Sequence, residues 1–209
     1  MSQYDRPMTI AIALVGAYVV GSIDFAVIIA RMHGVDIHEI GSGNPGTSNV
    51  LRTLGRLPAA MVLIGDTMKG VIGASMGAIA GGLVSATTPS ELSQWAFAAG
   101  FAAVVGHCYP IFHKFKGGKG VATGFGVVIF TVWQVALVAL LVWVVLARFT
   151  KVASISSLIV VVLAIPLAIW QGVTGLSLMW MVLTVVLIVW RHRANIGRML
   201  EGIEERVPT

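Results

Sequence analysis

Three polar stretches hold most of the residues in this chain that are able to bind a negatively charged group. The first is "EIGSGNPGTSNVLR", residues 39–52. Gly41, Gly43 and Gly46 permit tight turns and close approach of the backbone. Ser42, Asn44, Thr47, Ser48 and Asn49 bring hydroxyls and amides, and Arg52 brings a planar cation. After the glycines the pattern becomes helical, so amides at that helix start can face an anion. An ordinary polar turn would use the same residue types.

The second stretch is "FHKFKGGKGVATGFG", residues 112–126, with Lys114, Lys116 and Lys119 set among Gly117, Gly118 and Gly120, and Thr123 close by. It is not a Walker loop, because no Ser or Thr follows the lysine of "GKG". A simple anchor for anionic headgroups needs the charge but not the pliable backbone. The third stretch is "WRHRANIGRMLEGIEERV", residues 190–207. His192, Asn195 and Arg198 recur every third residue, a spacing that puts them on one helical face; Glu201 continues the row and Glu204 follows. A helix lying on anionic lipid would also place basic residues here, but it would avoid Glu201, Glu204 and Glu205. Cations and donors gathered this way suit phosphate groups.

These stretches must be held by elements that are mostly apolar. Of 209 residues, 57% are hydrophobic and 11% charged, and the mean hydropathy is +0.90. Too few charges remain to cover a soluble domain of this size, so the expected class is all-α, a polytopic helical bundle embedded in the membrane as a single domain over 1–209. Apolar runs fall at 8–30, 57–65, 70–86, 95–112, 121–147, 152–171 and 176–190, about seven helices, some of them short. The run 8–30 is too long for a signal-peptide core and reads as a retained first helix. Small residues from Gly70 to Gly82 favour close helix packing. The lone Cys108 reads as a small buried residue.

Basic residues set the orientation. Segments 31–56, 113–120 and 191–209 are rich in Lys and Arg, whereas "TTPSELSQ", 87–94, has none. The expected arrangement therefore has the N-terminus outside and the three polar stretches and C-terminus in the cytoplasm. Arg148 and Lys151 conflict with this, because a simple count places them outside. The parity also requires that some runs do not cross fully, with 57–65 the first candidate for a half-membrane helix and 176–190 the next. Within the membrane, Asp24, Asp66, Lys69 and His107 are the costly polar exceptions. Asp66 and Lys69, three apart in "GDTMKG", face each other on one turn. His107, near Pro110, would serve equally as a packing histidine.

Taken together, the stretches resemble the bacterial acyl-phosphate:glycerol-3-phosphate acyltransferases, the PlsY family. "GSGNPGTSNVLR" is similar to its first motif, "GHCYPIFHKFKGGKGVAT" to its second and "HRANIGRMLEGIE" to its third; "GDTMKG" is similar to its Asp-x-x-Lys-Gly. The resemblance implies a multi-pass enzyme of the bacterial inner membrane, its active site facing the cytoplasm. Such an enzyme moves a fatty acyl group from acyl phosphate to the 1-hydroxyl of sn-glycerol 3-phosphate, giving lysophosphatidate and phosphate. No cofactor or metal is implied, no nucleic-acid partner is expected, and the chain would work among membrane lipids as a monomer. Matched positions imply catalytic roles for Ser42, Asn44, Asn49, Arg52, His192 and Asn195. Substrate binding would involve Gly41, Gly43, Ser48, Lys69, Lys116, Gly117, Gly118, Lys119, Thr123 and Arg198. The sequence departs from the pattern at Thr47-Ser48, at Pro45, and at Asp24, where many members carry proline.

The chemistry agrees with this resemblance. Acyl phosphate is an activated anhydride, so positioning and charge stabilisation can carry much of the barrier. No nucleophile-elbow serine and no His-x-x-x-x-Asp is present. A transporter of a phosphorylated metabolite would also use lysines, glycine breaks and intramembrane charges, but its site would lie near the midplane between duplicated halves. A metal-dependent phosphotransferase would need clustered aspartates, and the four here are scattered.

Overall fold

The structure, a computed structural model, describes residues 6–82 and 89–206. It is all-helical among those residues, with ten α-helices and one 3-10 turn. In chain order the helices are α1 (Arg6–Gly21), α2 (Phe25–Met32), α3 (Thr47–Thr53), α4 (Arg56–Ala80) and α5 (Pro89–Cys108). After the turn at Ile111–His113 come α6 (Val121–Thr131), α7 (Trp133–Thr150), α8 (Ala153–Trp170), α9 (Gly175–Arg191) and α10 (Arg193–Leu200). Large apolar side chains such as Ile12, Ile64, Leu141, Val162 and Val186 point outward. Exposure on this scale marks a surface made for lipid.

The expected first helix is broken. α1 stops at Gly21, and α2 starts anew with Asp24 as its N-cap, whose carboxylate accepts from Val27 N at 3.1 Å. The expected half-membrane helix at 57–65 does not exist as such. It is the first part of α4, whose 25 residues run unbroken through Asp66 and Lys69, roughly 37 Å at 1.5 Å per residue. The chain tolerates these charges inside the helix because they pair with each other, and Lys69 also donates across the bundle to Ile23 O and His107 Nδ1. The run 176–190 lies within a 17-residue helix, α9, bent by 52° from α10.

The run 121–147 also departs from expectation. α6 is only 11 residues long, and the chain reverses at Val132 (φ −146°, ψ 67°) into α7. The run is thus an out-and-back pair, not one crossing. α7 ends and α8 begins on the end that carries the motif loops, where Ser154 Oγ donates to Glu204 Oε1 at 2.7 Å. Arg148 and Lys151 therefore lie with the other basic segments, which removes the conflict seen in the sequence. Of the expected basic-free loop 87–94, residues 87 and 88 lie outside the described residues and the rest open α5. Among the described residues, five helical segments are long and apolar enough to cross a membrane, or six if α9 and α10 count as one.

Glycine sets the spacing at the centre of the bundle. A Cβ on Gly70 of α4 would collide with Thr123 O of α6, and one on Gly126 of α6 with Thr67 O of α4. Gly21 stands in the same relation to Ala103 O, and Gly106 to Tyr18 O, across α1 and α5. Backbones touch where side chains would otherwise keep them apart, the packing available to helices that gain nothing from water exclusion. α7 and α8 join this block from the side, stapled together by Trp143 Nε1–H donating to Ser157 Oγ at 3.1 Å. Gly70→Ala is therefore expected to force α4 from α6 and lower stability by about 1–3 kcal/mol. A thermal melt of the purified protein in detergent checks this, and an unchanged midpoint would contradict the close contact.

Candidate active site

At the motif-bearing end a cavity of about 710 Å³ opens among α3, α4, α6, α7, α8, α9 and α10. Its rim is polar, with Ser42, Asn44, Ser48, Arg52, Lys119, His192, Asn195 and Arg198 all reaching it. Its body is apolar, walled by residues such as Leu63, Phe125, Val128, Val160, Val185 and Ile188. Leu63, Ile64 and Met68 of α4 and Leu140 and Val144 of α7 are wall residues that are also exposed on the outer surface. The cavity is thus open sideways toward lipid between those helices.

The other expected site residues do not line the cavity. Asn49 is buried and does not face the cavity, because its amide is spent on the loop before it. Oδ1 accepts from Ser42 N at 3.0 Å, and Nδ2 donates to Ile40 O at 3.0 Å and to Ile37 O at 3.4 Å. Gly41 and Gly43 sit at positive φ (56° and 67°) and allow that loop to close on Asn49. Lys69 is 2% exposed and absent from the cavity wall; its Nζ donates to Ile23 O at 2.7 Å and to His107 Nδ1 at 2.9 Å, and pairs with Asp66 Oδ1 at 2.8 Å. Thr123 is fully buried against α4, and Lys116 is exposed on the outside of its loop.

The glycines of the second stretch pack closely against their neighbours. Gly118 N donates to His107 O at 3.1 Å, and a Cβ on Gly118 would meet His107 Nε2 and Pro45 O. Arg191 clamps the loop from α9, its Nε donating to Gly118 O at 3.0 Å and its Nη2 to Gly117 O at 2.6 Å. Of the three lysines, this delivers only Lys119 to the cavity. In the sequence Arg191 is one more basic residue of segment 191–209, and nothing in its spacing signals the clamp.

Two glutamates complete the rim. α10 ends at Leu200, and Gly202 at φ 73° turns the chain, so the row expected through Glu201 does not continue as helix. The turned segment returns Glu204 to accept from Asn195 Nδ2, from Ser154 Oγ, and from Arg198 Nε at 2.8 Å. Loss of water would raise its pKa, but these bonds hold the carboxyl below its ordinary range. Glu205 pairs with Arg52 Nη2 at 2.6 Å, and the same guanidinium reaches Ser42 Oγ at 3.5 Å. Burial brings the Lys119 ammonium down to about 8; Glu204 opposes this, while Arg198, Arg52 and Arg191 add to it. His192 uses its ring nitrogen Nδ1 to donate to Ile188 O at 2.7 Å. That fixes the neutral tautomer with the Nε2 lone pair free to accept.

The arrangement can hold anionic headgroups at the rim and an alkyl chain in the body. Arg191→Met removes two charge-assisted bonds, each worth about 1.5–3 kcal/mol. Amide hydrogen exchange across Gly117–Gly120 is expected to quicken at least about tenfold, and unchanged exchange would show that packing on His107 alone holds the loop.

A family model described as glycerol-3-phosphate acyltransferase matches residues 11–202. Curated proteins named glycerol-3-phosphate acyltransferase are similar over nearly the whole chain. One from Brucella suis is 42% identical over 197 residues, covering 93% of this chain and 92% of its own. One from Roseobacter denitrificans is 40% identical over 200 residues, covering 94% of each. The crystal structure of PlsY, an integral membrane glycerol 3-phosphate acyltransferase, in its glycerol 3-phosphate form superposes with a TM-score of 0.86. It is 37% identical and covers 96% of both chains. Its lysophosphatidic acid form gives 0.84. With the motifs in order and the fold shared from end to end, this chain belongs to the glycerol-3-phosphate acyltransferase family.

Proposed function

We propose that this protein transfers a fatty acyl group from acyl phosphate to the 1-hydroxyl of sn-glycerol 3-phosphate, releasing lysophosphatidate and phosphate. The observation that carries the reading is the continuity of a cationic rim with an apolar, laterally open cavity. Only an amphiphile uses both parts at once. Its tail lies against lipid-facing walls, and its phosphate reaches Ser42 and Arg52, where it competes with Glu205 for the guanidinium. Lys119 and Arg198 take the phosphate of the water-soluble acceptor.

The acceptor hydroxyl then attacks the acyl carbonyl carbon. The new C–O ester bond forms, the anhydride C–O bond breaks, and phosphate leaves with the bonding pair. The His192 Nε2 lone pair, or a substrate phosphate oxygen, takes the hydroxyl proton. Donors fixed before the reaction stabilise the charge as it moves. Seven passages of the chain follow from the out-and-back pair α6–α7, with the N-terminus outside and the site at the cytoplasmic face of the bacterial inner membrane. The positive residues gathered at that end support this orientation. The protein acts as a monomer in this reading.

Purified protein in lipid is expected to release phosphate from a long-chain acyl phosphate only when glycerol 3-phosphate is present, with lysophosphatidate formed. Release without acceptor, or movement of glycerol phosphate across vesicles without acylation, would overturn the proposal. Arg52→Ala is expected to lower kcat/KM by about a hundredfold or more. His192→Ala with near-full turnover would remove His192 as the base.

The pH dependence follows from Lys119. Its ammonium is present below about 8 and lost as pH rises through that value. The ratio kcat/KM for glycerol 3-phosphate, which reports the free enzyme, is therefore expected to fall on the alkaline side of about 8. Lys119→Arg, which keeps its charge, flattens that limb, and an unchanged limb in the variant would exclude Lys119 as its source.

A further inference from the structure

His107 stands outside the roles assigned so far. It is 5% exposed, yet it faces the substrate cavity. Lys69 Nζ lies 2.9 Å from its Nδ1. An ammonium carries only donors, so Nδ1 must be the acceptor and the ring proton must sit on Nε2. Asp66 Oδ1 is 3.6 Å from Nδ1, too far to compete as a hydrogen-bond partner. The Nε2–H is thereby held as a donor and has no protein acceptor among the described residues. It lies against Gly118 and close to Pro45 O, between the first and second motif loops.

His107 lines the same cavity as the cations Arg52 and Lys119 and the apolar Phe125, Val128 and Ile188. In an acyl phosphate, the carbonyl is the group between the charged head and the alkyl tail. We infer that His107 is a further catalytic residue, its Nε2–H donating to the acyl carbonyl oxygen as the acceptor hydroxyl adds to the carbon. The carbonyl electron pair moves onto that oxygen as the ester bond forms and returns when phosphate leaves. Lys69 is the positioning residue that keeps the donor on Nε2, and Asp66 holds Lys69. The role of His107 rests on the acyltransferase reading and adds to it a donor aimed at the reacting carbonyl.

The test compares His107→Gln, His107→Asn and His107→Leu in lysophosphatidate formation, with kcat and KM for acyl phosphate measured separately. Gln can place an N–H where Nε2 stands. Asn keeps an acceptor toward Lys69 but places nothing there, and Leu does neither. Loss of one such donor typically costs about 100- to 1,000-fold in kcat. Asn and Leu are expected to lose kcat on that scale with KM little changed, and Gln to recover at least about tenfold over Asn. A Leu variant that does not fold leaves the Asn–Gln pair to decide, since Asn retains the buried link. Near-full kcat in Asn or Leu, or equal losses in Asn and Gln, overturns the role of His107 alone. Failure of the unsubstituted protein to form lysophosphatidate overturns the acyltransferase reading and this inference with it.

Discussion

A lysine ammonium buried among apolar helices is stable only if acceptors surround it, and Lys69 takes its three from three separate places. One is the backbone carbonyl of Ile23, available because α1 ends at Gly21 and leaves that carbonyl outside a helix. The second is Asp66, one turn away on α4, and the third is His107 at the end of α5. Meeting this one requirement fixes the break in the first helix, the pairing of α4 with α5, and the tilt of the imidazole on which the glycine loop rests. Leaving one member out would strand a buried charge, a cost of several kcal/mol. The polar centre therefore determines how the apolar bundle comes together.

From this centre the rim is assembled outward. Gly118 seats on His107, Pro45 meets the same surface, and Arg191 grips the loop carbonyls from the opposite side. Lys119 is left as the lysine that turns inward. Across from it, Asn49 shapes the first loop so that Ser42 and Arg52 face the same space. The first loop is fixed by Asn49 on the helix that follows it, and the second by His107 before it and Arg191 far after it.

Much of the rim was legible because chemistry is written in residue type. Ser42, Arg52, Lys119, His192, Asn195 and Arg198 were singled out by their functional groups and spacing, and the cavity gathers them. Gly117, Gly118, Asn49 and Lys69 were equally visible, and the fold engages them with other parts of the protein away from the cavity wall. A group that contacts a substrate and a group that contacts another loop have the same composition, and only the fold separates them. The reversal at Val132 was hidden because α6 and α7 are both apolar and no Gly or Pro marks the turn. The return of Glu204 was hidden too, since it depends on one glycine at positive φ after α10.

The clamp of Arg191 on the glycine loop also bears on how the protein is made. A chain emerging from the ribosome presents its N-terminal part first. The second motif loop, residues 112–120, is therefore complete long before the helix that grips it exists. Ser154 and Asn195, joined through Glu204, impose the same delay on the third motif. A chain that ends before α9 lacks the two bonds to the Gly117 and Gly118 carbonyls. The cationic pocket closes only with the last helix, so an unfinished chain has no competent site.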